Sequence, residues 1–210
     1  MENPQATEPV RDRLVKAALD CFLADDYHRV STRRIAEQAG ANVSMIRYYF
    51  GSKEGLYEEM IRETLSPLLD VLDGPMLAST DGFRDFLNLY YQTISAHPEF
   101  PKLILKVLAL HQGPGRRFIQ QLLERGRTRG ARKVEDLKSH GRIAPGIDPD
   151  ILRLSFVSLA MTPMLLKDIF EEQMERPMDA AFLSHLADFN GRLFAAGLAP
   201  ASADSTGDEA

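Results

Sequence analysis

The stretch VSTRRIAEQAGANVSMIRYYFGSKEGL, from Val30 to Leu56, decides how the amino-terminal part of the chain folds. It reads as two short helices joined by a tight turn and followed by the start of a third helix. Ser31 can cap the first helix, Gly40 can end it in the left-handed conformation, and Asn42 can cap the second. This arrangement is typical of a helix-turn-helix, whose second helix enters the major groove of DNA.

The second helix of this motif has two different faces. Its apolar side consists of Met45, Ile46 and Tyr49. Its other side is polar, aromatic and cationic, and consists of Val43, Ser44, Arg47 and Tyr48. The segment from His28 to Lys53 carries five basic residues and a single acid, Glu37, although the whole chain has a formal charge of −5. A local cationic patch of this kind favours binding to the phosphates of DNA.

Several groups of residues follow one another in a fixed order through this stretch: Ser31, Arg33-Arg34, Ile35-Ala36, Ala39-Gly40, Ala41, Ile46, Tyr48-Tyr49-Phe50, Ser52-Lys53-Glu54 and Leu56. As a set they closely resemble the amino-terminal DNA-binding region of TetR/AcrR-type repressors, over roughly the first third of the chain. Arg47 departs from the pattern, because that family most often has tyrosine there. The departure could exchange a phosphate contact for a base contact.

The motif predicts two groups of DNA contacts. Side chains that reach base edges are expected to be Arg33, Val43, Ser44 and Arg47, with Arg33 included because the resemblance implies it. Side chains that contact phosphates are expected to be Ser31, Thr32, Arg34, Tyr48, Tyr49 and Lys53. Helical geometry also turns Tyr49 toward the core. Lys53 lies in the first turn of a helix, where a DNA phosphate would compensate an otherwise unfavourable cation.

The rest of the chain indicates an all-α protein, since apolar residues recur at intervals of three and four residues and the sequence signals of β-hairpins are missing. Three regions are expected: a helix-turn-helix domain at 1–53, a helical regulatory and dimerisation domain at 54–198, and a disordered acidic tail at 199–210. Thr7 can cap the first helix, with Pro9 in its first turn. One long helix is predicted from Ser52 through Leu72, and Ser79, Thr80 or Asp81 can start the next. Pro163 should kink or bend the apolar helix that follows Asp148 and Pro149.

The arginine-rich segment between Arg125 and Lys133 suggests a second nucleic-acid site. A solvated helix face explains this segment better, because acidic residues are interleaved with the arginines.

The single cysteine, Cys21, excludes an intrachain disulfide. Neither a membrane span nor a signal peptide is evident, which favours a cytoplasmic protein.

The two carboxy-terminal helices carry more apolar surface than one neighbour would cover. Pairing with a second copy would form a four-helix bundle, and the resemblance implies the same homodimer. Packing within the chain's own core is the alternative. A pocket for a small-molecule effector could be lined by Phe86, Tyr90, Val107, His111, Phe118, Phe156 and Met161, although each of these could equally be ordinary core.

These features favour a sequence-specific regulator of transcription that binds double-stranded DNA. The resemblance implies a homodimeric repressor, released from a palindromic operator by a small molecule. An alternative is an architectural or cell-cycle protein of the same fold, controlled by a protein partner. An enzyme is disfavoured because no catalytic set, phosphate loop, cofactor motif or metal-spaced cluster is visible, and His111 has no partner at a metal-binding spacing.

Overall fold

The structure is a computed structural model that describes residues 8–73, 82–109 and 113–199. Within these ranges the chain forms eleven α-helices and no strand, so the predicted all-α fold is confirmed. The helices are α1 (Val10–Ala24), α2 (Thr32–Gln38), α3 (Ser44–Phe50), α4 (Lys53–Thr64), α5 (Ser66–Asp73), α6 (Gly82–Ala96), α7 (Glu99–Ala109), α8 (Pro114–Ser139), α9 (Pro149–Leu165), α10 (Lys167–Met174) and α11 (Ala180–Leu198).

Several helices begin at the residue that the sequence marks. Asp148 accepts hydrogen bonds from the amides of Asp150 and Ile151, and Pro149 follows it as the first residue of α9. Asp179 caps α11 by accepting from the amide of Phe182. A carboxylate at this position satisfies amides that have no partner inside the helix, and it interacts favourably with the helix dipole.

Two predicted helix starts have other outcomes. Pro9 lies at the position that precedes α1, not in its first turn, and provides no side-chain cap. The proposed caps Thr7, Ser79, Thr80 and Asp81 lie outside the described residues.

The predicted helix from Ser52 through Leu72 is two helices, since α4 ends at Thr64 and α5 begins at Ser66. Pro67 explains the interruption, because proline has no amide to donate to the carbonyl of Glu63 four residues earlier. Proline is well tolerated in a first helical turn, which is where α5 places it.

The apolar helix after Pro149 also divides, but not at Pro163. Pro163 stays inside α9, and a bend of 69° separates α9 from α10 at Leu166. The carbonyl of Leu159, which would normally accept from the amide at position 163, accepts instead from Tyr91 Oη at 2.8 Å. The bond from Tyr91 therefore compensates for the donor that proline removes.

Contacts divide the chain into two compact units. One contains Met1–Leu69 and His97–Leu122, and the other contains Asp70–Ala96 and Leu123–Ala210. In the first unit, α1 packs on α2, α3, α4 and α7. Its core includes five fully buried residues, Leu14, Ala18, Ile35, Leu56 and Met60.

In the second unit, α6 packs most closely on α11 and also contacts α9. The rings of Phe83 and Phe194 stack with centroids 4.0 Å apart, and Phe156 meets Phe83 edge-on at 5.0 Å. A Cβ added at Gly191 of α11 would lie 2.8 Å from the Cβ of Arg84 on α6, so glycine permits the close approach of these helices.

Within the described residues, no single helix is both long and apolar enough to cross a bilayer. The pair α9 and α10 reaches that length and composition only when it is counted together across its bend.

Candidate nucleic-acid interface

The first helix of the motif, α2, is fixed by a side-chain cap and a buried stripe. Ser31 has an extended backbone, and its hydroxyl accepts from the amide of Arg34 at 3.2 Å, which confirms the predicted cap. Ile35 is fully buried and Ala36 nearly so. Because Ile35 and Ala36 face the core, Arg33 and Arg34 in the first turn of α2 are exposed.

The turn between α2 and α3 depends on Gly40 and Asn42. Gly40 has a φ of 58°, and the amide of Ala41 donates back to the carbonyl of Ala36 at 2.9 Å. This pattern closes the end of a helix and needs a residue that tolerates the left-handed conformation. The side-chain oxygen of Asn42 then accepts from both the amide and the hydroxyl of Ser44, at 2.9 and 2.8 Å. Asn42 therefore caps α3 as expected, although the helix begins two residues later.

The bond to Asn42 constrains Ser44, one of the predicted base contacts. Its hydroxyl proton is directed at Asn42, so the lone pairs of its oxygen are what remain for another molecule. In a major groove this geometry favours a base that donates, which means the amino group of adenine or cytosine.

The two faces of α3 differ as the sequence indicates, with one exception. Ile46 is buried, Met45 is half-buried, and Arg47 is exposed, as are Val43 and Tyr48. Tyr49 does not join the buried side, because it is 41% exposed and meets Tyr48 edge-on at 4.9 Å. It lies in the last turn of α3, immediately before the chain leaves the helix at Gly51, so the turn ends before the core can cover its ring.

The start of α4 holds Lys53 in a defined place. Ser52 caps the helix by accepting from the amide of Gly55 at 3.0 Å, as predicted. The Lys53 ammonium donates to the carbonyl of Tyr27 and lies 4.3 Å from the centre of the Tyr27 ring. Burial lowers the pKa of Lys53 below its usual value. Since an ammonium has three donors, two remain available to a phosphate.

The cations of this surface differ in their partners. Arg34 forms an ion pair with Asp25, and this guanidinium lowers the pKa of the Asp25 carboxyl. Arg33 and Arg47 form no ion pair with any part of the chain that the structure describes. Sequence reasoning overlooked Asp25 and Tyr27, because both come from the loop after α1 and no helical spacing links them to Arg34 or Lys53.

The predicted effector-pocket residues that the structure describes are divided between the two compact units. Phe86, Tyr90 and Phe156 are buried in the second unit, where the Phe86 ring lies 4.9 Å from Phe156 and 6.0 Å from Tyr90. Met161 is half-buried in the same unit, whereas Val107 and Phe118 belong to the first unit. His111 lies outside the described residues. Burial raises the pKa of Tyr90 well above its usual value.

Comparison with known proteins places this geometry in a family. Residues 14–60 match the family described as bacterial regulatory proteins, tetR family. The chain is similar to the transcriptional regulator RutR of Escherichia coli K12, with 29% identity over 105 residues, covering 47% of this chain and 48% of RutR. It is also similar to the transcriptional repressor NicS of Pseudomonas putida, with 29% identity over 126 residues, covering 56% of this chain and 57% of NicS. Each match thus spans about half the length of the curated relative.

The fold extends the similarity along nearly the whole chain. The crystal structure of the transcriptional regulator FadR from Bacillus subtilis, in complex with stearoyl-CoA, matches with a TM-score of 0.68 and 15% identity. That match covers 89% of this chain and 98% of the FadR chain. Taken with the capped helix-turn-helix of α2 and α3, the sequence matches show that the amino-terminal part of the chain, residues 14–60, is a helix-turn-helix region of the TetR family of bacterial regulatory proteins.

Proposed function

We propose that this regulator binds a specific palindromic operator as a homodimer and represses transcription until a small molecule releases it. The observation that carries the proposal is the exposed outer face of α3, on which Arg47 stands without an ion pair in the described structure. A guanidinium presented in this way can bond bidentately to guanine. The capped first turns of α2 and α4 lie on either side of α3 in the sequence and offer backbone amides and hydroxyls to phosphates.

Apolar surface on the last helices supports the homodimer. Ile151 and Leu154 of α9 are each 66% exposed, and Phe189 and Leu193 of α11 are 57% and 53% exposed. Large apolar side chains exposed at this level are typical of a protein–protein interface. A two-fold pair would present two recognition helices to half-sites about 34 Å apart.

Contacts within the first unit suggest how an effector could act on the DNA-binding helices. Residues 97–122 lie in the predicted regulatory region, yet they group with the amino-terminal helices. Lys106 of α7 donates to the carbonyl of Asp25 at 3.3 Å, and Asp25 holds Arg34. A ligand that displaces α7 would therefore change the position of a predicted phosphate contact.

The start of α8 supplies a second connection of this kind. Arg117 pairs with Glu54 and, at 3.3 Å, with Glu58 in the first two turns of α4. Lys53, at the start of the same helix, is another predicted phosphate contact. We infer that α7 and the beginning of α8 transmit the effector signal, by shifting the population toward a state whose recognition helices no longer match the operator.

The buried side chains of the second unit indicate the class of effector. The aromatic core around Phe86, Tyr90 and Phe156 favours a largely apolar ligand. Acyl-CoA thioesters belong in a first screen because the FadR structure contains stearoyl-CoA. A bacterial regulator of this type would act in the cytoplasm, where the DNA is.

Selection of bound fragments from the source genome tests the proposal. Purified chain should enrich a few fragments that share an inverted repeat, and a 25-bp duplex of that repeat should compete better than a scrambled duplex. Enrichment without a common sequence would contradict specific binding. Dependence of DNA binding on an added protein, and on no metabolite, would favour the alternative of a protein-controlled architectural factor.

A further inference from the structure

Two neighbouring tyrosines of α6 are buried in the second unit and differ in their hydrogen bonding. The hydroxyl of Tyr91 donates to the carbonyl of Leu159 at 2.8 Å and accepts from the side-chain amide of Asn190 at 3.3 Å. Tyr90 is 3% exposed, and its hydroxyl forms no hydrogen bond with any residue that the structure describes. The described chain therefore satisfies one of these two buried hydroxyls and not the other.

A hydroxyl without a partner at this depth calls for a physical explanation. The hydroxyl of a buried tyrosine usually has a hydrogen-bond partner, because losing water without replacing its hydrogen bonds is unfavourable. Phenylalanine would fill the same space without that cost, and α6 carries phenylalanine at positions 83 and 86. A tyrosine at position 90 therefore indicates that its hydroxyl serves a bound molecule.

The described surroundings of Tyr90 are aromatic and uncharged. Its ring stacks on that of Phe86 with centroids 6.0 Å apart, and the Phe86 ring lies 4.9 Å from that of Phe156. Among the described residues, the only titratable side chain that acts on the Tyr90 hydroxyl is Tyr91, which is neutral at pH 7. A charged group bound here would lose its water and gain no counter-ion, so a neutral molecule is favoured.

The hydroxyl also limits which group it can bind. Burial raises the pKa of Tyr90, so the phenol keeps its proton and can donate it in a hydrogen bond. A carbonyl oxygen accepts such a bond without adding a donor that would itself need a buried partner.

We propose that the effector is a neutral, largely apolar molecule whose carbonyl oxygen accepts a hydrogen bond from Tyr90 Oη, as a ketone, ester or thioester would. The inference rests on the proposed ligand-responsive function and names the chemical class of its ligand.

Infrared spectroscopy of a labelled ketone tests this contact. The full chain is titrated, without DNA, with 2-decanone that carries ¹³C at its carbonyl. The carbonyl band of the bound ketone should lie at a lower frequency than in hexane, because accepting a hydrogen bond weakens the C=O bond. In Tyr90→Phe the band should return to its frequency in hexane. The dissociation constant should rise by about 2- to 12-fold, the value of one neutral hydrogen bond.

Tyr91→Phe is the matched control, since it removes the neighbouring buried hydroxyl from the same helix. It should leave the carbonyl band of the bound ketone shifted. Decanoate, a carboxylate of the same length, should bind more weakly than the ketone, because its charge would be buried without a counter-ion.

Thermal melting of the ligand-free chains provides a second readout. Tyr91→Phe should lower the melting temperature, because it leaves buried groups without a partner. Tyr90→Phe should not lower it, because the hydroxyl that it removes has no partner in the described chain.

Four results would overturn the proposal. One is failure of 2-decanone to bind up to its solubility limit. Another is a carbonyl band that is unshifted in the wild-type chain or stays shifted in Tyr90→Phe. A third is tighter binding of decanoate than of the ketone. The last is a melting temperature that Tyr90→Phe lowers as much as Tyr91→Phe, because the hydroxyl would then have a structural partner.

The failure of this inference can be told apart from failure of the proposed function. A chain that binds the ketone through Tyr90 but binds no operator would contradict the proposed function and leave the ligand class intact.

Discussion

Single residues on the candidate interface differ in how firmly the protein holds them. Arg34 and Lys53 are each bound to the loop after α1, through Asp25 and through Tyr27. Arg47 projects from α3 and has no ion-pair partner in the described part of the chain. A residue held in place suits a phosphate contact, which sets position, whereas a projecting arginine suits a base edge.

Replacing Arg47 and Lys53 separately should divide specificity from general affinity. We expect Arg47→Ala to lower the preference for cognate over random DNA by about 1 to 3 kcal/mol, the value of a bidentate base contact. Lys53→Ala should weaken binding to both DNAs to a similar extent and reduce the salt dependence. Fluorescence anisotropy with the two duplexes at several salt concentrations measures both effects.

Arg47→Lys is the matched control for charge. It keeps the cation but not the planar pair of donors, so it should lose specificity while retaining most of the affinity for random DNA. Equal losses of specific and random binding in Arg47→Ala and Lys53→Ala would contradict this assignment of roles.

The sequence was sufficient for the local geometry of this site but not for its long-range contacts. Ser31, Asn42 and Ser52 were predictable as caps because each acts on an amide within three residues. The position of the Lys53 side chain was not predictable, because its partner Tyr27 is 26 residues away in the sequence and is brought near by packing. The contacts of Arg33, Val43, Ser44 and Arg47 with bases remain predictions.

Among the helices, α9 shows how a proline inside a helix is accommodated. Pro163 leaves the carbonyl of Leu159 without its usual donor, and Tyr91 supplies one from α6. The Tyr91 hydroxyl in turn accepts from the side-chain amide of Asn190 at 3.3 Å. Asn190 is 4% exposed, so this small network lies inside the second unit. Its burial raises the pKa of Tyr91 to about 12.

Removal of the Tyr91 hydroxyl should destabilise the protein. We expect Tyr91→Phe to lower the free energy of unfolding by about 1 to 3 kcal/mol, because it leaves a buried carbonyl and a buried amide without a partner. Urea denaturation followed by circular dichroism measures the change.

Pro163→Ala provides the second half of a double-mutant cycle. Alanine at position 163 can donate its amide to the carbonyl of Leu159, so the cost of Tyr91→Phe should be smaller in the Pro163→Ala background. An equal cost in the two backgrounds would mean that Tyr91 does not compensate for the proline.

Pro67 and Pro163 show where helix prediction from this sequence differs from the structure. The stripe from Leu56 to Leu72 keeps its helical spacing across Pro67, so periodicity alone merged α4 with α5. Pro163 was identified as a source of bending, yet the bend lies at Leu166, because a tertiary hydrogen bond stabilises the helix at the proline itself. Such a bond depends on α6, which no local pattern in α9 reveals.

For the whole molecule, the exposed apolar surface of α9 and α11 predicts a dimer. Leu154→Glu combined with Phe189→Glu should convert a dimer to a monomer, because charges would be buried in the proposed interface. Sedimentation velocity at micromolar concentration measures this. Operator affinity should fall in the same variant, because one helix-turn-helix offers few base contacts.

Leu89→Glu is the matched control, since Leu89 is a 50% exposed leucine on α6, outside that surface. It should leave both the sedimentation coefficient and the operator affinity unchanged. A wild-type chain that sediments only as a monomer, or a double variant that remains a dimer, would contradict the proposed interface.

The attachment of Lys53 to Tyr27 has a consequence for dynamics. The loop after α1 is closed by the amides of Arg29 and Val30, which both donate to the carbonyl of Asp26. If a phosphate fixes the Lys53 ammonium, it also fixes the loop to which the ammonium is bonded, and the loop should open less often. Operator binding should therefore slow hydrogen–deuterium exchange at Arg29 and Val30, although neither residue is a predicted DNA contact, and Lys53→Ala should abolish that protection.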